Sequence, residues 1–184
     1  MKLKLLFLAF LVLSTSAIVE KSPVTIYMIG DSTMANRNLK NPKNKERGWG
    51  MMLGSFFPSD KVVVSNHAAS GRSTKSFINE KRWARVVALI KPGDYVFIQF
   101  GHNDEKKENP KLYTEPGGTF DDNLRKFVNE TRAKGGIPVL FNSIVRRKFC
   151  QDAAGQFTDS LLDTHGEYLL SPKRVAEELN VPFI

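Results

Sequence analysis

Three scarcities bound what this 184-residue chain can do. It has one cysteine, Cys150, so no internal disulfide and no cysteine-based zinc site can form. The setting of that thiol, Arg147-Lys148-Phe149-Cys150, could lower its pKa, but no histidine lies nearby in sequence, and a plain surface or half-buried thiol is the simpler reading. Histidine is also scarce, with three in all, and none shows the close spacing of a zinc site. There is no GxGxxG and no P-loop, so nothing calls for a nucleotide, and no cofactor is expected. Dense basic runs are missing too. The net charge is +8, yet the positive residues alternate with acids, as in Lys43 to Arg47 and Glu105 to Glu108, which argues against a nucleic-acid arm. A basic chain can still attract an acidic polymer.

Long apolar runs are limited to one. Met1-Lys2-Leu3-Lys4 opens positively, Leu5 to Leu13 is apolar throughout, and Ser14-Thr15-Ser16-Ala17 supplies small residues. That order is the layout of a secretory signal peptide, with a cut expected after Ala17. The run is shorter than the roughly 20 residues that span a bilayer. The expectation is therefore a signal peptide at 1–17, an exported protein with no membrane attachment after cleavage, and one domain over 18–184.

Beyond Ala17 the chain reads as strand then helix, repeated. Short apolar, β-branched runs fall at Val24 to Ile29, Lys61 to Ser65, Tyr95 to Phe100, Pro138 to Asn142 and, at the end, Val181 to Ile184. Near-continuous apolar strands suggest a parallel sheet. Between them, Trp83, Val86, Val87 and Ile90 mark one helical face within Ser73 to Ile90. Phe120, Leu124, Phe127 and Val128 mark another within Thr119 to Lys134, with Thr119 as N-cap and Gly135-Gly136 as the stop. Ser171 and Pro172 predict the N-cap and first turn of a last helix carrying Val175 and Leu179. Strands alternating with helices predict a doubly wound α/β sandwich, in which sites form at the carboxyl ends of the strands.

Three strand ends carry polar motifs. Gly30-Asp31-Ser32-Thr33 follows the first run; its serine suits a nucleophile, or simply a helix N-cap. Ala69-Ser70-Gly71-Arg72-Ser73-Thr74 follows the second, where Gly71 could aim a backbone N–H into a site or merely form a tight turn. Gly101-His102-Asn103-Asp104 follows the third, where Asn103 could donate to a developing oxyanion or close an Asx-turn. In order, at successive strand ends, they compose a hydroxyl with an oxyanion hole, the constellation of acyl transfer.

With these motifs the chain resembles the SGNH (GDSL-like) hydrolases, and within them the rhamnogalacturonan acetylesterases, over Val24 to Ile184. The resemblance implies a three-layer α/β/α fold of flavodoxin-like type with a five-stranded parallel sheet. It implies Ser32 as nucleophile, with the Ser32 and Gly71 backbone N–H groups and the Asn103 side-chain amide as oxyanion hole. Asp31 would shape the nucleophile turn, and His102 and Asp104 would hold the Asn103 loop. The implied activity is a serine esterase that removes acetyl groups from a plant cell-wall polysaccharide or oligosaccharide such as pectin. The family's general base is the histidine of an Asp-x-x-His block after the fifth strand. The residues stop at Ile184, inside that strand, so the C-terminal part is expected to be missing and the chain as given to be nearly inactive. His67 reads as structural, and Asp163-Thr164-His165 has the residue types of the block at the wrong spacing and place. Other readings are a non-catalytic carbohydrate-binding or scaffold protein on the same fold, or a GDSL-type lipase or thioesterase.

Overall fold

The computed structural model describes residues 22–40 and 44–184. The expected signal peptide lies outside the described residues. Four strands form one sheet: β1 (Val24–Gly30), β2 (Val62–Asn66), β3 (Tyr95–Gln99) and β4 (Ile137–Leu140). All neighbours pair in parallel, in the order β2-β1-β3-β4. Each strand falls within a residue or two of its apolar run, because β-branched and aromatic side chains suit a pleated surface buried by helices. The expected fifth strand is reduced to a single parallel bridge between Phe183 and Leu140. Backbone bonds from Leu140 N to Pro182 O, from Ile184 N to Leu140 O and from Asn142 N to Ile184 O set that segment beside β4. The sheet thus has four strands and one bridging edge rather than five full strands.

Alternation along β1 divides the core. Tyr27 and Ile29 face one side with Val96, Ile98 and Leu140, where they meet Phe77, Trp83, Val86, Phe120, Leu124, Phe127, Val128 and Val175 of the helices. Phe127 packs edge-on to Trp83 at 4.9 Å between ring centres and lies 5.7 Å from Phe100. Ile26 and Met28 face the other side, with Met34, Trp49 and Leu53. Among the described residues that second face is covered by two short 3-10 turns, Trp49–Met51 and Leu53–Phe56, while all four helices contribute to the first cluster.

The helices depart from the sequence reading at their ends. The stretch expected as one helix from Ser73 is two, α1 (Thr74–Asn79) and α2 (Arg82–Val87), because Lys81 turns to φ 56°. Ser73 and Ser76 form a reciprocal capping box at the start of α1. In α3 (Thr119–Ala133) the N-cap is Gly118, not Thr119; the Thr119 hydroxyl instead accepts from Glu115 N at 2.9 Å. Gly135, at φ 74°, and Gly136 end the helix as expected. The last helix, α4 (Leu170–Leu179), starts one residue before Ser171, continuing a 3-10 turn over Gly166–Leu169. Ser171 and Pro172 therefore sit in its buried first turn, where a proline's missing N–H has no partner to lose. A short antiparallel hairpin, β5 (Phe149–Gln151) and β6 (Phe157–Leu161), stands outside the sheet and has no counterpart in the sequence reading. Its turn is built on Asp152 Oδ1, which accepts from Ala154 N and Gln156 N, with Gly155 at φ 78°. Among the described residues no helix is long and apolar enough to cross a membrane.

Candidate active site

The chain leaves β1 for β2 on one side and reaches β3 on the other, so the crevice between the carboxyl ends of β1 and β3 is a topological switch point. All three motif loops start there. The β2 loop is tied back to β1 by His67 N to Met28 O (2.8 Å) and Ala69 N to Gly30 O (2.9 Å), two residues before Ser32. The β3 loop is tied to the β2 loop by the Asn103 amide, whose Nδ2 donates to Arg72 O at 3.1 Å. Successive loops are therefore cross-linked at one end of the sheet, each by a bond from a residue of its own motif.

Asp31 is buried and shapes the turn after β1: its Oδ1 accepts from Thr33 N at 2.8 Å and lies 2.8 Å from Thr33 Oγ1. Ser32, half-buried between them, has no hydrogen-bond partner among the described residues. The turn is held from β3 by Gln99, a buried amide at the end of an otherwise apolar strand. Its Oε1 accepts from Trp49 Nε1 at 2.7 Å and is 3.1 Å from Thr33 Oγ1, and its Nε2 donates to Asn142 O at 2.8 Å. Sequence reasoning passed over Gln99. The signal was a lone amide in the run Tyr95 to Phe100, since a buried polar group needs partners and so marks where loops converge.

Gly71 adopts φ 77°, and a Cβ built there would meet nothing within 4 Å, so its backbone borders open space. Gly101 is under opposite pressure. At φ 144° it lies against Ser143, whose Oγ would be 2.1 Å from a Cβ and which donates to Phe100 O. Only glycine fits between β3 and the chain leaving β4.

The buried Asn103 is held at both ends of its amide. Nδ2 gives one hydrogen to Arg72 O, and Oδ1 accepts from Lys106 Nζ at 2.9 Å. One Nδ2 hydrogen remains uncommitted among the described residues. Asp104 is fully buried. Its Oδ1 accepts from Thr74 N (2.9 Å), Thr74 Oγ1 (2.6 Å) and Thr114 Oγ1 (2.8 Å), while its Oδ2 has no partner among the described residues. Burial pushes its pKa up to about 7, against the hydrogen bonds from Thr74 and Thr114 that favour the charged form. Asp104 thus joins the β3 loop to the start of α1, and the Tyr168 hydroxyl closes the same junction from the 3-10 turn before α4 through Thr114 O at 2.6 Å.

His102 points away from this junction. Its Nε2 donates to Ile144 O at 2.7 Å, and its ring stacks on that of His165 with centres 4.6 Å apart. His165, which has the residue type of the Asp-x-x-His block but the wrong spacing and place, is buried. Its Nδ1 lies 3.0 Å from Glu105 Oε2 and its Nε2 3.1 Å from Ile144 O. Burial lowers the pKa of both rings below the ordinary histidine value. The Ile144 carbonyl opposes this at each, and the Arg146 guanidinium, paired with Glu105, adds to it. Both His165 nitrogens face acceptors, an arrangement that favours the imidazolium, yet two stacked imidazolium rings would repel. With both pKa values below the ordinary histidine value, the rings are neutral near pH 7. His67 lies 2.9 Å from Ser65 Oγ through its Nε2, and burial lowers its pKa.

A cavity of about 440 Å³ adjoins the β3 loop, lined by Glu105, Lys106, Glu108, Arg146, Thr164, His165 and Tyr168. A larger one of about 860 Å³ lies on the β5–β6 hairpin and includes no residue of the three motifs. The chemistry, not the larger hollow, locates the site. Among the described residues no cluster of three His, Cys, Asp or Glu side chains is placed to hold a metal ion.

Comparison with known proteins shows the family. Residues 28–184 match the model of the GDSL-like lipase/acylhydrolase family. The chain is 39% identical over 164 residues to the rhamnogalacturonan acetylesterase RhgT of Bacillus subtilis strain 168, covering 89% of this chain and 65% of that protein. It is 35% identical over 159 residues to the probable rhamnogalacturonan acetylesterase YesY of the same organism, covering 86% and 68% respectively. It thus spans about two thirds of the length of these relatives. The crystal structure of the Bacillus subtilis protein YxiM superposes with a TM-score of 0.71 at 28% identity, over 89% of this chain and 43% of that one.

Proposed function

The chain belongs to the GDSL-like lipase/acylhydrolase family, and from that premise we propose that it is a serine esterase removing acetyl groups from rhamnogalacturonan or a related pectic polysaccharide. The observation that carries the proposal is the cross-tying of the Ser32, Gly71 and Asn103 loops at the switch point of the sheet. In this reading Ser32 Oγ attacks the acetyl carbonyl carbon as a base takes its proton. The carbonyl oxygen becomes an oxyanion that accepts from the Ser32 and Gly71 N–H groups and the uncommitted Asn103 Nδ2 hydrogen. Collapse breaks the bond to the sugar oxygen, which leaves as the alcohol, and water then releases acetate from Ser32.

The described histidines suit the role of base poorly. His67 is engaged by Ser65, and His102 and His165 are turned to Ile144 O and Glu105. The family resemblance implies that this role belongs to the histidine of an Asp-x-x-His block after the fifth strand. The substrate class rests on the two relatives named as rhamnogalacturonan acetylesterases and on the positive net charge, +8 for the chain and about +6 without Lys2 and Lys4 of the signal segment, which complements an acidic polymer. Export rests on the signal-like order of residues 1–17, preceding a single domain over 18–184.

The test is turnover of a chromogenic acetate, and of acetylated pectin, by the full-length protein. Asn103→Ala is expected to slow ester cleavage about 10²–10³-fold, the loss typical of one oxyanion donor. Unchanged turnover would remove Asn103 from the mechanism. Binding of the polysaccharide with no hydrolysis by the wild type would turn the reading to a non-catalytic carbohydrate-binding protein.

A further inference from the structure

We infer that Lys106 is a positioning residue for the oxyanion hole, acting through Asn103; the inference rests on the proposed esterase reading. An asparagine amide is nearly symmetric in shape, so which end faces a reacting group depends on what holds its oxygen and its nitrogen. Here Lys106 Nζ donates to Asn103 Oδ1 at 2.9 Å, and Arg72 O accepts from Asn103 Nδ2 at 3.1 Å. Rotating the amide by half a turn would set an NH₂ against an ammonium and an oxygen against a carbonyl. The two contacts therefore enforce one orientation, with a single Nδ2 hydrogen left to donate.

The lysine does more than fix the rotamer. A charged donor on Oδ1 draws electron density from the amide and strengthens the remaining N–H as a donor, as charge-assisted hydrogen bonds do. Lys106 makes no ion pair among the described residues, so its charge is not cancelled by a direct carboxylate contact. It sits three residues after Asn103 in the turn following β3, and its own N–H reaches Asn103 O at 3.4 Å. The side chain is half-buried beside the 440 Å³ cavity, which leaves the ammonium partly shielded from water. An interaction felt by a developing oxyanion more than by the neutral ester lowers kcat and leaves KM alone when lost.

The experiment is a double-mutant cycle in the full-length protein, read on a chromogenic acetate and accompanied by thermal melts. Lys106→Met is expected to lower kcat about 10–100-fold with KM unchanged, and Lys106→Arg to restore most of it. Lys106→Gln, which can still donate to Oδ1 without charge, should fall between them. In the Asn103→Ala background Lys106→Met should add less than a twofold loss, because the residue through which it acts is gone. An equal loss in both backgrounds, or a rise in KM at constant kcat, overturns the inference. If Asn103→Ala slows turnover and Lys106→Met does not, the Lys106 role alone falls. If Asn103→Ala has no effect, the oxyanion-hole reading falls and takes the Lys106 role with it.

Discussion

Replacing Asp104 by asparagine isolates the ionisation of one buried carboxyl. The folded protein raises the pKa of Asp104 from 3.8 to about 7, first because burial disfavours the charge. Between those two values the folded state binds a proton that the unfolded state has released, so stability falls as pH rises. The contribution is fully present below about pH 4 and lost as pH passes through about 7. At 1.36 kcal/mol for each pH unit of that interval, the loss amounts to up to about 4 kcal/mol. Asparagine keeps an oxygen where Oδ1 accepts from Thr74 and Thr114, and places an NH₂ where Oδ2 has no partner. Leaving that group unpaired costs about 1–3 kcal/mol, independent of pH. The measurement is therefore a slope: urea melts of wild type and Asp104→Asn at half-unit steps from pH 4 to 9. The variant should be the less stable at pH 4, and the gap should close or reverse by pH 8. Two parallel curves would refute the raised pKa, because the variant would have removed no titration.

Two further outcomes test the scaffold. Gly30→Ala would bring a Cβ to 2.5 Å from the backbone oxygen of Gln99 and 3.1 Å from Met34 Sδ. It should destabilise by at least about 1–3 kcal/mol in urea unfolding, and wild-type stability would contradict the β1–β3 register beneath Ser32. Phe127→Ala empties a fully buried site between Trp83 and Phe100. About 3–5 kcal/mol is expected from chemical denaturation, and a loss under 1 kcal/mol would mean that α3 does not pack on the sheet as described.

The parts legible in the sequence are those written in neighbouring residues. Val62-Val63-Val64 and Tyr95 to Ile98 are strands because apolar and β-branched runs serve little else at that length, and the three motifs follow their strands directly. The helix ends were harder. The face of Trp83, Val86 and Ile90 continues the α1 pattern, so nothing in the periodicity announces that Lys81 will take a left-handed turn; there Arg72 and Arg82 both reach Glu80. The hairpin had a turn signal, Asp152 to Gly155, but its strands bury little and show no alternating face. The fifth strand has the composition expected but bridges at Phe183 alone. The support of the site was hidden for another reason. Gln99 joins Thr33, Trp49 and Asn142, four positions that only the folded sheet brings together.

The interior place of β1 sets an order of events during synthesis. The strand that leads to Ser32 emerges early but has β2 on one side and β3 on the other. Its second partner is complete only at Gln99, 69 residues after Gly30 by the pairing of those two positions. At about 5–20 residues per second, the ribosome takes several seconds to deliver it. Throughout that interval Val24–Gly30 is an apolar segment with an unpaired edge, the kind of surface that chaperones hold and that aggregates when crowded. The turn around Ser32 is therefore completed late. A nascent chain stalled before β3 would display the motif around Ser32 without Gln99 or Asn103 to support it.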